Sequence, residues 1–122
     1  MRELNFYPYY RQLLCQRRKT TTIRMSAREP FQTGEEVLLT VAWPENGDLE
    51  PLYTATIEAT YDRVLSELSG EDLRGESPDC LTPEAVPFVL GAIYRKVLGP
   101  EELVTVIKFR HKGTASQESL PE

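Results

Sequence analysis

The sequence is poor in the residues that build reactive or rigid centres. Cysteine occurs twice, at Cys15 and Cys80, and histidine once, at His111. Two distant cysteines do not make the disulfide framework of a small secreted domain, and they match no C-x-x-C or metal spacing. One histidine with scattered acids does not make a metal-ligand set, so no metal or other cofactor is expected. Cys15 and His111 lack the local signature of a nucleophile and its base, and read as ordinary residues. No glycine-rich phosphate loop is present. No apolar run approaches the roughly 20 residues that a transmembrane helix needs. The N-terminal MRELNFYPYY carries Glu3 and lacks the unbroken apolar core of a secretory signal. Together with reduced thiols, these absences lead us to expect a soluble protein in the cytoplasm.

The most telling absence is local. From Arg11 to Arg28 there is no acid, while Arg11, Arg17, Arg18, Lys19, Arg24 and Arg28 supply six bases, so this segment carries +6 within a chain of net charge −5. The acidic remainder repels nucleic acid and argues against a protein that coats DNA or RNA over its whole surface. What remains open is a single cationic mouth, or an exposed face neutralised by acids from elsewhere in the fold.

The length, 122 residues, suits one domain. Pro8 followed by YYRQLLCQ predicts a short helix, with Tyr10, Leu13 and Leu14 on one stripe, ending near Arg17. Thr20 to Met25 reads as a strand on which Thr22 and Arg24 share a face. FQTGEE is a turn at Gly34 and Val37 to Trp43 a strand, followed by a loop over Pro44 to Pro51. Leu52 to Leu65 reads as one bent strand or two short ones. Ser69 caps a short helix that stops at Gly75. Thr82-Pro83-Glu84 predicts a longer helix whose buried face holds Val86, Leu90, Ile93 and Val97 and which ends at Gly99-Pro100, with Pro87 an awkward guest early in it. Leu103 to Arg110 is a final strand. The polar residues 112–122 are expected to form a disordered tail. The order helix, strand, strand, strand, helix, helix, strand lacks β-α-β alternation, so the expected class is α+β around a small mixed sheet or barrel.

The segments LLCQRRKTTTIR, FQTGEEVLLTV and VTVIKFR together resemble the ASCH domain of the PUA-like superfamily, over roughly Leu4 to His111. The most specific elements are Lys19-Thr20-x-Thr22-x-Arg24, the Thr33-Gly34-Glu35 turn and the closing strand. The resemblance implies a small PUA-like β-barrel flanked by short helices over residues 1–111, with a cleft associated with RNA recognition. Its compact branch resembles N(4)-acetylcytidine amidohydrolases. That branch implies catalytic roles for Lys19, Thr22 and a glutamate, for which Glu76 is the best-placed match and Glu71 and Asp72 are the alternatives.

The residues support such chemistry on their own terms. A threonine hydroxyl becomes a nucleophile when a base takes its proton, and a lysine serves as that base when burial or nearby cations lower its pKa. Lys19 and Thr22 are three apart and meet only if Lys19 still lies in the turn before the strand. Thr22 would then attack an amide carbonyl, Lys19 move the proton, and Glu76 hold or protonate the leaving amine. In a binding-only protein the same bases, Arg17, Arg18 and Arg24, contact phosphates or carbonyls, while Tyr7, Tyr9 or Tyr10 stacks a base. The expected partner is RNA or a modified nucleoside. A regulatory module binding a protein or metabolite without reaction is the alternative. The sequence leaves the oligomeric state open.

Overall fold

The fold is built on a mixed sheet whose two edge strands curl toward each other. The computed structural model describes residues 1–112. Five strands, β1 (Arg2–Phe6), β2 (Thr21–Met25), β3 (Glu36–Ala42), β4 (Leu49–Val64) and β5 (Leu103–His111), lie in the order β1-β3-β4-β5-β2. β1 runs parallel to β3, and every other pairing is antiparallel. Register shifts between Leu39 and Thr40 and between Ile57 and Ala59 mark bulges. Extra residues of this kind increase twist and bend, here curling the sheet into a half-barrel.

Three helices flank it: α1 (Arg11–Cys15) after a 3-10 turn at Pro8–Tyr10, α2 (Gly70–Leu73) and α3 (Val86–Tyr94). Both faces of the sheet are covered. On one, Leu4, Phe6, Leu14, Leu39, Ile57 and Phe109 pack together beneath α1. On the other, Ile23, Leu73, Val86, Leu90, Val104 and Val106 pack beneath α2 and α3. β5 feeds both, because successive strand residues point to opposite faces: Val104 and Val106 go one way, Ile107 and Phe109 the other.

Several expectations need correction. Arg2–Phe6 forms a strand where the sequence pattern predicts no element, and Leu4 and Phe6 are its two buried residues. β4 is a single strand of 16 residues, the first of the two expected alternatives, but it begins at Leu49, inside the expected loop. The last helix starts at Val86, after a turn in which the Ala85 N–H donates to Thr82 O at 3.0 Å. This start places Pro87 in the first turn, where a missing N–H removes no helical bond. α3 ends at Tyr94 rather than at Gly99, through Arg95 in a left-handed conformation (φ 59°), and Val97, expected in the core, is 97% exposed. The tail expected from residue 112 lies outside the described residues except for Lys112, whose ammonium pairs with Glu36. No helix among the described residues is long and apolar enough to cross a membrane.

Candidate functional site

A cavity of about 310 Å³ opens between the two edge strands and α3. Asn5, Phe6 and Tyr7 border it from the β1 side, Thr22 and Arg24 from β2, and Ile93 and Tyr94 from α3. Lys19 and Glu76 close one wall.

Lys19 sits in the turn just before β2 and is 2% exposed. Its ammonium donates to Thr21 O at 3.1 Å, to Ser77 Oγ at 3.4 Å and to Glu76 Oε1, the last in a buried ion pair. Burial pushes the Lys19 pKa down, while Glu76 pulls it back up and Arg24 adds a smaller depression. Tyr10 contributes a ring 4.9 Å from the ammonium, favourable for a cation over an aromatic face.

Glu76 reaches the pocket because its loop is clipped along the free edge of β2. Thr20 and Thr21 N–H groups both donate to Gly75 O, at 2.9 and 3.1 Å, and Thr21 Oγ1 donates to Arg74 O at 2.5 Å. The Ile23 N–H then donates to Glu76 Oε2 at 3.1 Å. Gly75 has φ +90°, and a Cβ there would overlap Thr20 Oγ1, so glycine is required at this close crossing. Lys108 braces the same loop from beneath, donating to Glu71 O, Asp72 O and Arg74 O at 3.2 to 3.3 Å.

Thr22 and Arg24 share a face of β2, as alternation predicts, and Arg24 Nε donates to Thr22 Oγ1 at 3.1 Å. Arg24 Nη2 donates to Asn5 O at 2.6 Å, tying the two edge strands together. No described carboxylate lies within ion-pair distance of Arg24, and Phe6 presents its ring 4.9 Å away. Lys19 and Thr22 line the same cavity without a hydrogen bond between them. The hydroxyl is held by Arg24, and the lysine by Glu76. With Glu76 engaged by Lys19, the charge left in the cavity is the guanidinium. The site is therefore suited to a ligand presenting an anion or carbonyl oxygens.

The other expected ligand contacts fall elsewhere. Arg17 occupies the left-handed position (φ 58°) that ends α1, where the Arg18 N–H donates to Leu13 O and the Arg17 N–H to Leu14 O, both at 2.9 Å. This cap turns the Arg17 guanidinium onto the Tyr53 ring, 4.1 Å away and outside the cavity. Arg18 is exposed and reaches Gln16 Oε1 at 3.4 Å. Arg11 pairs with Glu50 at 2.7 Å. Tyr7 borders the cavity and is 50% exposed, whereas Tyr9 is 68% exposed, packs edge-on against Tyr10 and does not line it. Glu71 pairs with Arg74 at the surface, and Asp72 is buried as the capping partner of Ser69 beneath the Tyr61 hydroxyl. Neither alternative acid lines this cavity.

Sequence reasoning did not find Asn5, Tyr94, Ser77 or Asp79. Ser77 is buried, and its hydroxyl lies 3.0 Å from Glu76 Oε1 and 2.8 Å from Asp79 Oδ1. Tyr10 donates its hydroxyl to Asp79 Oδ2 at 3.2 Å. Cys80 also lines the cavity, its thiol pushed up to about 12 by burial and then by Glu76 and Asp79, which leaves it a poor nucleophile. His111 lies behind Lys19, with Nε2 donating to Lys19 O at 2.8 Å and Nδ1 buried without a partner. Among the described residues, no group of three His, Cys, Asp or Glu side chains is placed to hold a metal ion.

No family model matches the sequence, and no curated protein matches it. Solved structures do. The ASCH domain from Lactobacillus crispatus JV V101 is similar with a TM-score of 0.66 and 11% identity, over 90% of this chain and 79% of that one. Protein EF3133 from Enterococcus faecalis V583, of the DUF984 family, is similar with a TM-score of 0.59 and 18% identity, over 82% of this chain and 67% of that one. At these identities the likeness concerns the fold, which is the small α+β, PUA-like fold of an ASCH domain.

Proposed function

We propose that the chain binds a modified nucleoside, or a single unpaired nucleotide of RNA, in the cavity between β1, β2 and α3, and hydrolyses an acyl amide on cytidine there. The observation that carries this reading is the convergence of a buried Lys19–Glu76 pair, the Thr22 hydroxyl and the Arg24 guanidinium on one small cavity. Its volume is near the lower end of the roughly 300 to 1,000 Å³ of ligand pockets, which favours one nucleoside over a strand or a duplex. Tyr7 at the rim offers a face for the base.

In this reading Thr22 attacks the acyl carbonyl, and Arg24, already on the Thr22 oxygen, stabilises the charge that develops beside it. The Lys19–Glu76 pair takes up the hydroxyl proton and returns one to the departing exocyclic nitrogen. Water then releases the acyl group. The two free cysteines agree with a reducing, cytoplasmic setting, which we include in the proposal.

One observation favours binding without turnover. All three N–H groups of Lys19 are directed at protein acceptors, and none at Thr22. Incubation with N(4)-acylated cytidines separates the two. Deacylation that is lost in Lys19→Ala and in Thr22→Ala supports the enzyme, whereas affinity for the nucleoside or short RNA without turnover supports the binding module. Turnover retained in both variants refutes the site assignment, and capture of a protein with no affinity for nucleosides or RNA favours a regulatory module.

A further inference from the structure

Hydrolysis of an acyl amide on an exocyclic amine gives the free amine and a carboxylic acid. The acid ionises at neutral pH, so each turnover leaves one proton to be discharged. The groups assigned to proton transfer, Lys19 and Glu76, are both buried. On the side of Glu76 away from the cavity that it lines, a hydrogen-bonded path leads outward: Glu76 Oε1 to Ser77 Oγ at 3.0 Å, then Ser77 Oγ to Asp79 Oδ1 at 2.8 Å. Asp79 is half-buried, whereas Glu76 and Ser77 are buried. The serine hydroxyl has one hydrogen and cannot donate to both carboxylates at once. It can, however, accept from one while donating to the other.

We propose that Ser77 and Asp79 form a proton exit from Glu76 to solvent, a role that rests on the deacylase reading above. The Lys19 ammonium, once it has taken up the reaction's proton, passes one proton across the ion pair to Glu76 Oε1, which donates it to Ser77 Oγ. Ser77 releases its own hydrogen to Asp79 Oδ1, and Asp79 passes it to water. One proton has then moved from Glu76 to solvent, and no bond between heavy atoms has changed. The surroundings fit the task. The Ser77 N–H holds Glu76 Oε1 at 2.7 Å, and the Tyr10 hydroxyl holds the far oxygen of Asp79 and leaves the near one to the serine. The other titratable or charged groups facing this path are Lys19, Arg24, Tyr10 and Cys80. Burial raises the tyrosine and the thiol, so neither competes as a proton acceptor near neutrality.

The test uses the full chain with N(4)-acetylcytidine, measuring turnover and proton release with a pH indicator. Asp79→Asn keeps the shape and loses the acceptor, and Ser77→Ala removes the link. Each is expected to lower kcat about tenfold with KM nearly unchanged, less than the roughly 10²–10⁴-fold of a direct general acid or base. Added imidazole is expected to restore Asp79→Asn in proportion to its concentration, which a purely structural role would not allow. Wild-type kcat in both variants, or a loss that imidazole does not relieve, overturns the exit path while leaving the deacylase reading in place. A wild-type protein that binds acetylcytidine without turnover overturns both.

Discussion

The two halves of one basic run meet opposite fates. Arg17 and Arg18 end a helix, and the chain's left-handed turn there sends one guanidinium onto Tyr53 and the other to the surface. Lys19 and Arg24, on either side of the start of β2, are drawn into the cavity. Equal charge in the sequence therefore carries no information on destination. Position relative to a helix cap and to the strand alternation does.

The largest effect expected from this contrast comes from separating the buried pair. Glu76→Ala leaves the Lys19 charge without its counter-ion, and loss of one partner from such a pair costs about 3–5 kcal/mol. Denaturant unfolding should register a loss of that size. A variant as stable as the parent means that the pair is not formed in solution. Next in size is Arg24→Ala, which removes the cavity's guanidinium and the bridge to Asn5. We expect nucleoside affinity to fall by about tenfold to a hundredfold in titration calorimetry, with Arg24→Lys restoring little because an ammonium lacks the planar fork.

A smaller effect concerns pH. Burial lowers the pKa of His111 below the ordinary 6.5, against the opposing bond to Lys19 O. Between the lowered value and 6.5 the unfolded chain holds a proton that the folded chain lacks, so stability rises with pH across that window and is lost on acidification through it. Melting temperatures from pH 7 downward should show this slope in the parent and a flatter one in His111→Gln, and equal slopes would remove the assignment. The smallest effect is at the helix end. Arg17→Gly relieves a left-handed residue worth roughly 1–2 kcal/mol and gives up a stack on Tyr53 worth about 0.5–1 kcal/mol, together with glycine's entropic penalty of about the same size. Stability should stay within about 1 kcal/mol, and ligand affinity in Arg17→Gly and Arg18→Ala should match the parent. A large drop in affinity would return these arginines to the site.

Much of this was legible in the sequence, and the failures have physical causes. The alternation of Thr22 and Arg24, and the need for Lys19 to precede the strand, follow from local geometry, and the structure has both. β1 escaped because Arg2–Phe6 offers two apolar side chains in five residues. Its strand character comes from pairing with Val37–Val41, far along the chain. The start of α3 was misplaced because Thr82-Pro83 is a good local signal, yet Pro87 makes Val86 the better first residue. Ser77 and Asp79 carried no signal of their own, since nothing local reveals that their loop folds against β2.

The clip between Gly75, Glu76 and β2 also bears on solubility. β2 lies at the margin of the sheet, and an unpaired margin is a template on which another chain can add a strand. The loop bearing the pocket's acid occupies the N–H groups of Thr20, Thr21 and Ile23 that such an intruder would use. Substitutions that pry this loop away are therefore expected to promote intermolecular association along with any loss at the cavity, because one segment serves both purposes.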